Sequence, residues 1–342
     1  MSHKNLNAKI KIPKKLKEIL SQNKISQIYK RFEKKINIEQ NFAVAVSGGP
    51  DSLALSFLSK IYSVKKGLDV KFFIVDHKIR PESSREARLV KKYLTKIGVK
   101  AQILIWKGKK TSGNLQSIAR KKRYNLLFDS CHRNNIYNIL LGHQSEDLLE
   151  NFFIRILRGS GLKGLISLDT ETKVDKMNLL RPLLYERKDD LILISKKAFN
   201  FYIKDPLNED EKYQRIRIRK LLVELQKNGL DKKKFLNTIK NLKFSDSVIK
   251  YYINKNLKEN TFYSASKNEY LVNKEFFQQP YEVIFRSFSD IIKNMGKKYY
   301  PVRGKKLDNL IVEIQNKKHL KVTLGGCIVK KHNDTVIING EI

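Results

Sequence analysis

The sequence predicts an α/β protein, a parallel sheet covered on both faces by helices, followed by a helical domain and a small C-terminal α+β segment. Three observations lead there. Between Phe42 and Leu141 short apolar runs alternate with amphipathic stretches; after Asp205-Pro206 the strand signal fades into a Lys-rich, Leu-containing region; and the end of the chain returns to β-like runs. With 342 residues, 41% of them hydrophobic, the chain can bury a sizeable core in two or three domains. The segments predicted are 1–210, 211–290 and 291–342.

The runs in order are FAVAV (42–46) then LALSFLSKIY (53–62), VKFFIV (70–75) then SSREARLVKKYLTKIG (83–98), AQILIW (101–106) then LQSIARKKRYNLLFDSC (115–131), and YNILLG (137–142). Continuously apolar strands separated by helices of this length predict parallel pairing, with ligands held beyond the carboxyl ends of the strands. From about Arg215 to Lys258 the pattern reads as helices with solvated basic faces. KKLDNLIVEIQNKK then reads as a helix, and LKVTLGGCIVKK and TVIINGEI as strands, with Gly325-Gly326 and Asn333-Asp334 as turns.

Seventy Lys and Arg face 34 Asp and Glu, a formal charge of +36 that attracts polyanions such as nucleic acid. The chain is also rich in Asn and Ile, and a lysine-heavy proteome accounts for the same balance. Cys131 and Cys327 stand far apart with no CxxC, which argues against a disulfide scaffold or a cysteine-based zinc site and for a reducing compartment. The basic N-terminus has no apolar run of signal-peptide length, and no segment reaches the roughly 20 apolar residues of a membrane span. A soluble, cytoplasmic protein with no membrane partner is expected.

Directly after FAVAV comes Ser47-Gly48-Gly49-Pro50-Asp51-Ser52, followed at once by a helical run. In a strand, glycine turn, helix context the glycines let backbone approach a ligand, helix N-terminal amides attract phosphate oxygens, and Ser47 and Ser52 add hydroxyls. The loop lacks the lysine of GxxxxGK[ST] and the spacing of GxGxxG. A glycine turn capped by Ser or Asp is the plain structural alternative. SGGxDS resembles the pyrophosphate loop (PP-loop) of the ATP pyrophosphatases, which cleave ATP between its α and β phosphates. That superfamily includes lysidine synthases, tRNA thiolation enzymes, NAD synthetases and GMP synthetases. Asp51, a carboxylate among phosphates, is expected to hold Mg²⁺ or to polarise the nucleophile.

Further motifs narrow the resemblance. Asp76-His77-Lys78-Ile79-Arg80 with Ser84 is similar to the DHxxRxxS segment of lysidine synthases and implies contacts to adenine or ribose; Asp76 and His77 could equally cap the next element. Asn114 with Ala119-Arg120 and Arg123-Tyr124 matches that family's NxxxxARxxRY, and Arg120 and Arg123 are candidates to neutralise phosphate charge in the transition state. Gly142-His143 through Glu150-Asn151, running into Arg158-Gly159-Ser160-Gly161, resembles GHxxDDxxET...RGxG. On a helix beginning near there, His143, Asp147 and Glu150 follow i, i+4, i+7 and would share one face suited to an ammonium substrate. An acidic first turn capped by Ser145 is the alternative. Glu146 and Asn151 depart from the usual Asp and Thr. Arg181-Pro182-Leu183-Leu184, Arg187, Asp205 to Asp210, and Arg215 to Arg219 continue in the family's order (RPLL, R, DPxNxD, RxxxR). Arg158, Arg181, Arg215 and Arg219 are candidates for phosphate-backbone contacts.

The resemblance covers roughly residues 42–220 and implies a Rossmann-like sheet of the adenine nucleotide α-hydrolase type. The 211–290 segment would then bind tRNA. It further implies an ATP- and Mg²⁺-dependent carbon–nitrogen ligase that joins free L-lysine to C2 of the first anticodon cytidine (position 34) of a CAU-anticodon tRNA-Ile. On that reading Ser47 to Ser52, Asp76 and His77 bind ATP, Asp51 holds metal, and His143, Asp147 and Glu150 bind lysine. Two other readings are a tRNA thiolase, which usually needs paired cysteines, and a non-catalytic basic RNA-binding protein. Oligomeric state, including a homodimer, is left open.

Overall fold

The computed structural model describes residues 12–107, 115–203, 211–298 and 302–341. Asn114 and the Asp205–Asp210 motif lie outside the described residues. The chain forms two compact units, one up to Leu236 and one from Asn237.

The first unit opens with α1 (Lys14–Leu20) and α2 (Asn23–Lys35), whose Leu16, Ile19, Ile25, Ile28 and Phe32 are buried. Then follow β1 (Phe42–Val46), α3 (Pro50–Lys66), β2 (Val70–Asp76), α4 (Ser83–Thr95), β3 (Ala101–Ile105), α5 (Leu115–Arg133), β4 (Asn138–Leu140) and α6 (Ser145–Ile156). A short α7 (Leu162–Leu165) leads into β5 (Glu171–Val174), β6 (Met177–Leu180), α8 (Lys188–Phe199) and α9 (Gln214–Lys227). The four strands read from the sequence form in place.

The sheet order is β3-β2-β1-β4-β6-β5, parallel throughout except for the β5–β6 pair. Alternation along β1 explains how both faces are covered. Phe42, Val44 and Val46 join Phe72 and Ile74 of β2 in a core with α2, α3, α4 and α8, while Ala43 and Ala45 join Phe73 and Val75 in a second core with α5. Strand order reverses beside β1: β2 follows it on one side, β4 on the other. That is the switch point where a crevice opens beyond the carboxyl ends. The β5–β6 hairpin extends the sheet at an edge the sequence reading left blank.

The second unit contains most of α10 (Lys232–Asn260), the hairpin β7 (Thr261–Ser264) and β8 (Glu269–Val272), a 3-10 turn at Lys274–Gln278, α11 (Tyr281–Met295), α12 (Gly304–Asn316), β9 (His319–Leu324), β10 (Cys327–His332) and β11 (Thr335–Gly340). Its antiparallel sheet has the order β7-β8-β11-β10-β9. One face buries Val272, Val329, Val336 and Ile338 against Ile284, Phe288, Ile292, Leu307 and Ile311 of α11 and α12. The expected Gly325-Gly326 turn joins β9 to β10 with φ of +67° and +81°, a conformation that favours glycine. The two units differ from the three-segment division predicted. Residues 211–236 belong with the first unit, and 261–272 pair into the C-terminal sheet through β8 and β11. No helix among the described residues is long and apolar enough to cross a membrane.

Candidate active site

A cavity of about 650 Å³ opens at the switch point. Its floor is the loop after β1. Ser52, in the first turn of α3, fastens that loop: its Oγ accepts from the Ser47 N–H (3.2 Å), the Gly48 N–H (3.1 Å) and the Ser47 hydroxyl (3.1 Å), and donates to the Gly49 carbonyl (3.0 Å). Gly48 holds φ +89°, and a Cβ there would stand 2.5 Å from Val90 Cγ2. Pro50 at the start of α3 sacrifices no helical hydrogen bond. Across the crevice, Gly142 after β4 lets the two backbones meet, since its Cβ would come 3.1 Å from the Ser52 backbone.

Asp51 projects into the cavity from the first turn of α3. Its Oδ2 accepts from Lys188 Nζ at 2.7 Å, whereas Oδ1 is buried with no hydrogen-bond partner. Burial pushes its carboxyl above the usual carboxylate range, Lys188 draws it down, and Asp147 and Glu146 push it up again. Among the described residues no group of three or more His, Cys, Asp or Glu side chains could cage a metal. The orphaned Asp51 oxygen would instead fit a divalent cation that takes a single carboxylate from the protein.

The structure separates the Asp76-His77 pair. Asp76 is spent within the protein: Oδ1 accepts from the Lys78 N–H (3.0 Å) and Ser83 Oγ (2.8 Å), and Oδ2 from Ser84 Oγ (2.5 Å). Burial raises its pKa, but those hydrogen bonds outweigh burial and hold it below the ordinary value. Asp76 therefore ties the strand end to α4 through two serine hydroxyls, without capping the helix amides, and does not line the cavity. His77 does, with Nδ1 buried and unpartnered. Burial, aided by the Arg123 charge and opposed by Asp76, lowers its pKa to about 4, so the ring is neutral near pH 7. Arg120 and Arg123 of α5 form the facing wall, both lying against the Tyr124 ring at 5.1 and 5.6 Å.

The acidic corner differs from the single helical face expected. Helix α6 begins at Ser145 and its N-cap is Gln144, extended at φ −134°, so His143 precedes the helix. Gln144 Oε1 accepts from the Glu146 N–H (2.8 Å), and Asp147 Oδ2 accepts from the Gln144 N–H (2.9 Å), a capping box with Gln144 in place of the expected Ser145. His143, Glu146 and Asp147 all line the cavity. Burial, reinforced by Arg181, Arg120, Arg123 and Arg215, lowers the His143 pKa to about 3. Burial also raises Asp147, against the Gln144 N–H and the charges of Arg215, Lys188 and Arg219. Glu150 does not reach the cavity; it is buried, and its Oε1 accepts from Arg219 Nε at 2.6 Å.

The four arginines assigned to phosphate contacts divide. Arg215 and Arg219 line the cavity, Arg219 already engaged with Glu150. Arg181 is buried and donates to the Asp169 carbonyl (2.8 Å) and Thr172 Oγ1 (2.9 Å), so it pins β6 to the segment ahead of it and offers no surface charge. Arg158 is exposed beside Gly159, whose φ of +64° closes α6 as a helix stop. Sequence reasoning missed Lys188, the residue after the noted Arg187. It also left Glu146 out of the candidate site, noting its departure from the usual Asp, whereas Glu146 lines the cavity and pairs with Lys232 Nζ at 2.9 Å. Cys131 and Cys327 are buried free thiols in different units, raised by burial to about 12 and about 11.

Comparison with known proteins agrees with this geometry. A PP-loop domain family matches residues 18–226. A tRNA(Ile)-lysidine synthase of Wolbachia pipientis is 32% identical over 301 residues, covering 86% of this chain and 69% of the relative. One from Orientia tsutsugamushi is 33% identical over 308 residues, covering 87% and 69%. Among solved structures, the U34-tRNA thiolase NcsA of Methanococcus maripaludis, with its [4Fe-4S] cluster, superposes with a TM-score of 0.56 at 18% identity, over 65% of this chain and 80% of that one, a likeness of fold. With its glycine loop at the switch point and relatives matched along most of its length, the chain belongs to the tRNA(Ile)-lysidine synthase family of PP-loop proteins.

Proposed function

We propose that this protein uses ATP to join free lysine to C2 of the first anticodon cytidine of a CAU-anticodon tRNA-Ile, so that AUA codons are read as isoleucine. The observation that carries this reading is that one cavity joins a phosphate-cradling loop, an acidic corner and a wall of arginines. The cytosine O2 attacks the α-phosphorus, the bond to the β-phosphate oxygen breaks, and pyrophosphate leaves into the loop formed by Ser47 to Ser52. Arg120 and Arg123 stand where charge grows on the phosphoryl oxygens. Mg²⁺, held by Asp51, would supply countercharge to the phosphates.

In the second half, the lysine ε-nitrogen forms a bond to C2, the C2–O bond breaks, AMP leaves and the nitrogen gives up its proton. Asp147 and Glu146 offer carboxylates to cationic groups of the substrate, and the neutral His143 ring offers a nitrogen acceptor. Glu150 supports this corner through Arg219 instead of meeting lysine itself. The exposed Arg158 and Arg215 and the basic faces of α9 and α10 are the proposed phosphate-backbone contacts for tRNA.

The test is labelled-lysine incorporation into that tRNA, with and without ATP, using the unchanged chain, Asp51→Ala, and a transcript carrying uridine in place of the first anticodon cytidine. Labelling that needs ATP, Asp51 and the cytidine supports the reaction. AMP release with tRNA but no labelling sinks lysine as the acceptor and leaves the ATP chemistry standing.

A further inference from the structure

The loop from Ser47 to Ser52 offers amides and hydroxyls but no cation of its own. A magnesium nucleotide still carries net negative charge on its outer phosphates, and the cradle must answer it with positive groups. Among the described residues, a cation bonded to the loop comes from another element. Lys188, first residue of α8, reaches across to Asp51 Oδ2 at 2.7 Å, and both side chains line the cavity. A cation at a helix N-terminus opposes the helix dipole, so this placement does nothing for α8 itself. Water also reaches the pair: the Lys188 side chain is 32% exposed and that of Asp51 20%.

We propose that Lys188 is a phosphate-binding residue of this site: it neutralises Asp51 while the cavity is empty and transfers to the β- or γ-phosphate oxygens when a magnesium nucleotide binds. The inference rests on the ATP reading above. Asp51 makes the exchange feasible, because its unpartnered Oδ1 can take a divalent cation, and a carboxylate so neutralised no longer holds the ammonium. A lysine ammonium is a compact charge on a flexible four-carbon stem, suited to pivoting between two anions a short distance apart. Lys188 thus supplies from α8 the ammonium that a GxxxxGK[ST] loop carries within itself.

The proposal separates the outer phosphates from the α-phosphate. Titration calorimetry of the full chain with Mg²⁺ and inorganic pyrophosphate, ATP or AMP, without tRNA or lysine, tests it. Lys188→Met should weaken pyrophosphate and ATP by roughly tenfold to a hundredfold, the scale of a charge-assisted contact, and leave AMP within about twofold. Lys188→Arg, which keeps the charge, should stay within about fivefold for pyrophosphate. Fluorescence of the single tryptophan, Trp106, buried in the first unit, checks that each variant is folded. Unchanged pyrophosphate affinity in Lys188→Met, or pyrophosphate and AMP weakened in parallel, overturns the role of Lys188 and leaves the ATP reading intact. If the unchanged chain binds neither ATP nor pyrophosphate, the ATP reading itself fails and this inference with it.

Discussion

Replacing Arg219 by alanine should destabilise the first unit by about 3 kcal/mol at neutral pH. Its partner Glu150 has a side chain only 2% exposed, takes one hydrogen bond from Arg219 Nε at 2.6 Å, and has a second oxygen with no partner. Removing one partner of a buried pair costs roughly 3–5 kcal/mol because the remaining charge is left uncompensated. The low end applies because the Arg219 side chain is 41% exposed and water can enter the space it leaves. Urea unfolding followed through Trp106 reports the first unit, and with a slope of about 3 kcal/mol per molar the midpoint should fall by roughly 1 M. The pH dependence has a definite sign. Burial already raises the Glu150 pKa, and loss of Arg219 removes the opposing pull. A carboxyl with a raised folded-state pKa binds more protons folded than unfolded, so its penalty is full at neutral pH and shrinks as pH falls through that pKa. Glu150→Gln in the Arg219→Ala background should recover part of the loss. A deficit below about 0.5 kcal/mol, or one that grows on acidification, would refute the view that Glu150 depends on this pair.

Gly48→Ala should cost roughly 2–4 kcal/mol, the sum of an unfavourable positive φ and a Cβ 2.5 Å from Val90 Cγ2; Val90→Ala should return part of it in the same urea titration, and no recovery would mean the close approach is not the cause. His77 and His143 are held neutral, with pKa values of about 4 and about 3, while the unfolded chain titrates near 6.5. Depressed histidines bind fewer protons folded than unfolded, so their contribution to first-unit stability is lost as pH falls below about 6.5. His143→Gln should flatten the slope there by up to about 1.4 kcal/mol per pH unit, and an unchanged slope would argue against a neutral buried ring. In the second unit Arg286 and Asp246, with side chains 4% and 2% exposed, pair at 2.5 Å. Asp246→Asn should destabilise that unit by about 2–4 kcal/mol, read as faster amide hydrogen exchange along α11, and unchanged exchange would count against the pair.

Much of the sheet was legible because its information is local. FAVAV alternates large and small residues that divide between two cores, and a strand that feeds a glycine turn and then a helix has few other ways to fold. Turn chemistry was equally readable at Gly325-Gly326 and Asn333-Asp334. The short strands β5 to β8 were not, since four residues with weak alternation take their meaning from the neighbour they pair with. Residues 269–272 are strand because β11 accepts them and β7 lines up on their other side, and nothing within those residues announces a partner so far along the chain.

The candidate site divides along the same line. Motif reading found the residues that must sit at strand ends, and Asp51, His77, Arg120, Arg123, His143, Asp147, Arg215 and Arg219 all reach one cavity. What it could not supply was charge pairing across the fold. Asp76, Glu150 and Arg181 resemble Asp51, Asp147 and Arg215 in residue type, yet each is turned to partners within the protein: Asp76 to Ser83 and Ser84, Glu150 through one oxygen to Arg219, and Arg181 through Nη1 to the segment ahead of β6. Lys188 went unseen for the complementary reason: in a chain with 70 Lys and Arg, one more lysine after an arginine carries no signal. Only the packing of α8 beside α3 turns it into the counter-ion of Asp51. In a chain this basic, composition says little about which cations act, and a partner's position decides: surface lysines stay solvated, while a lysine held against a half-buried carboxylate beside the phosphate loop has a second anion to go to.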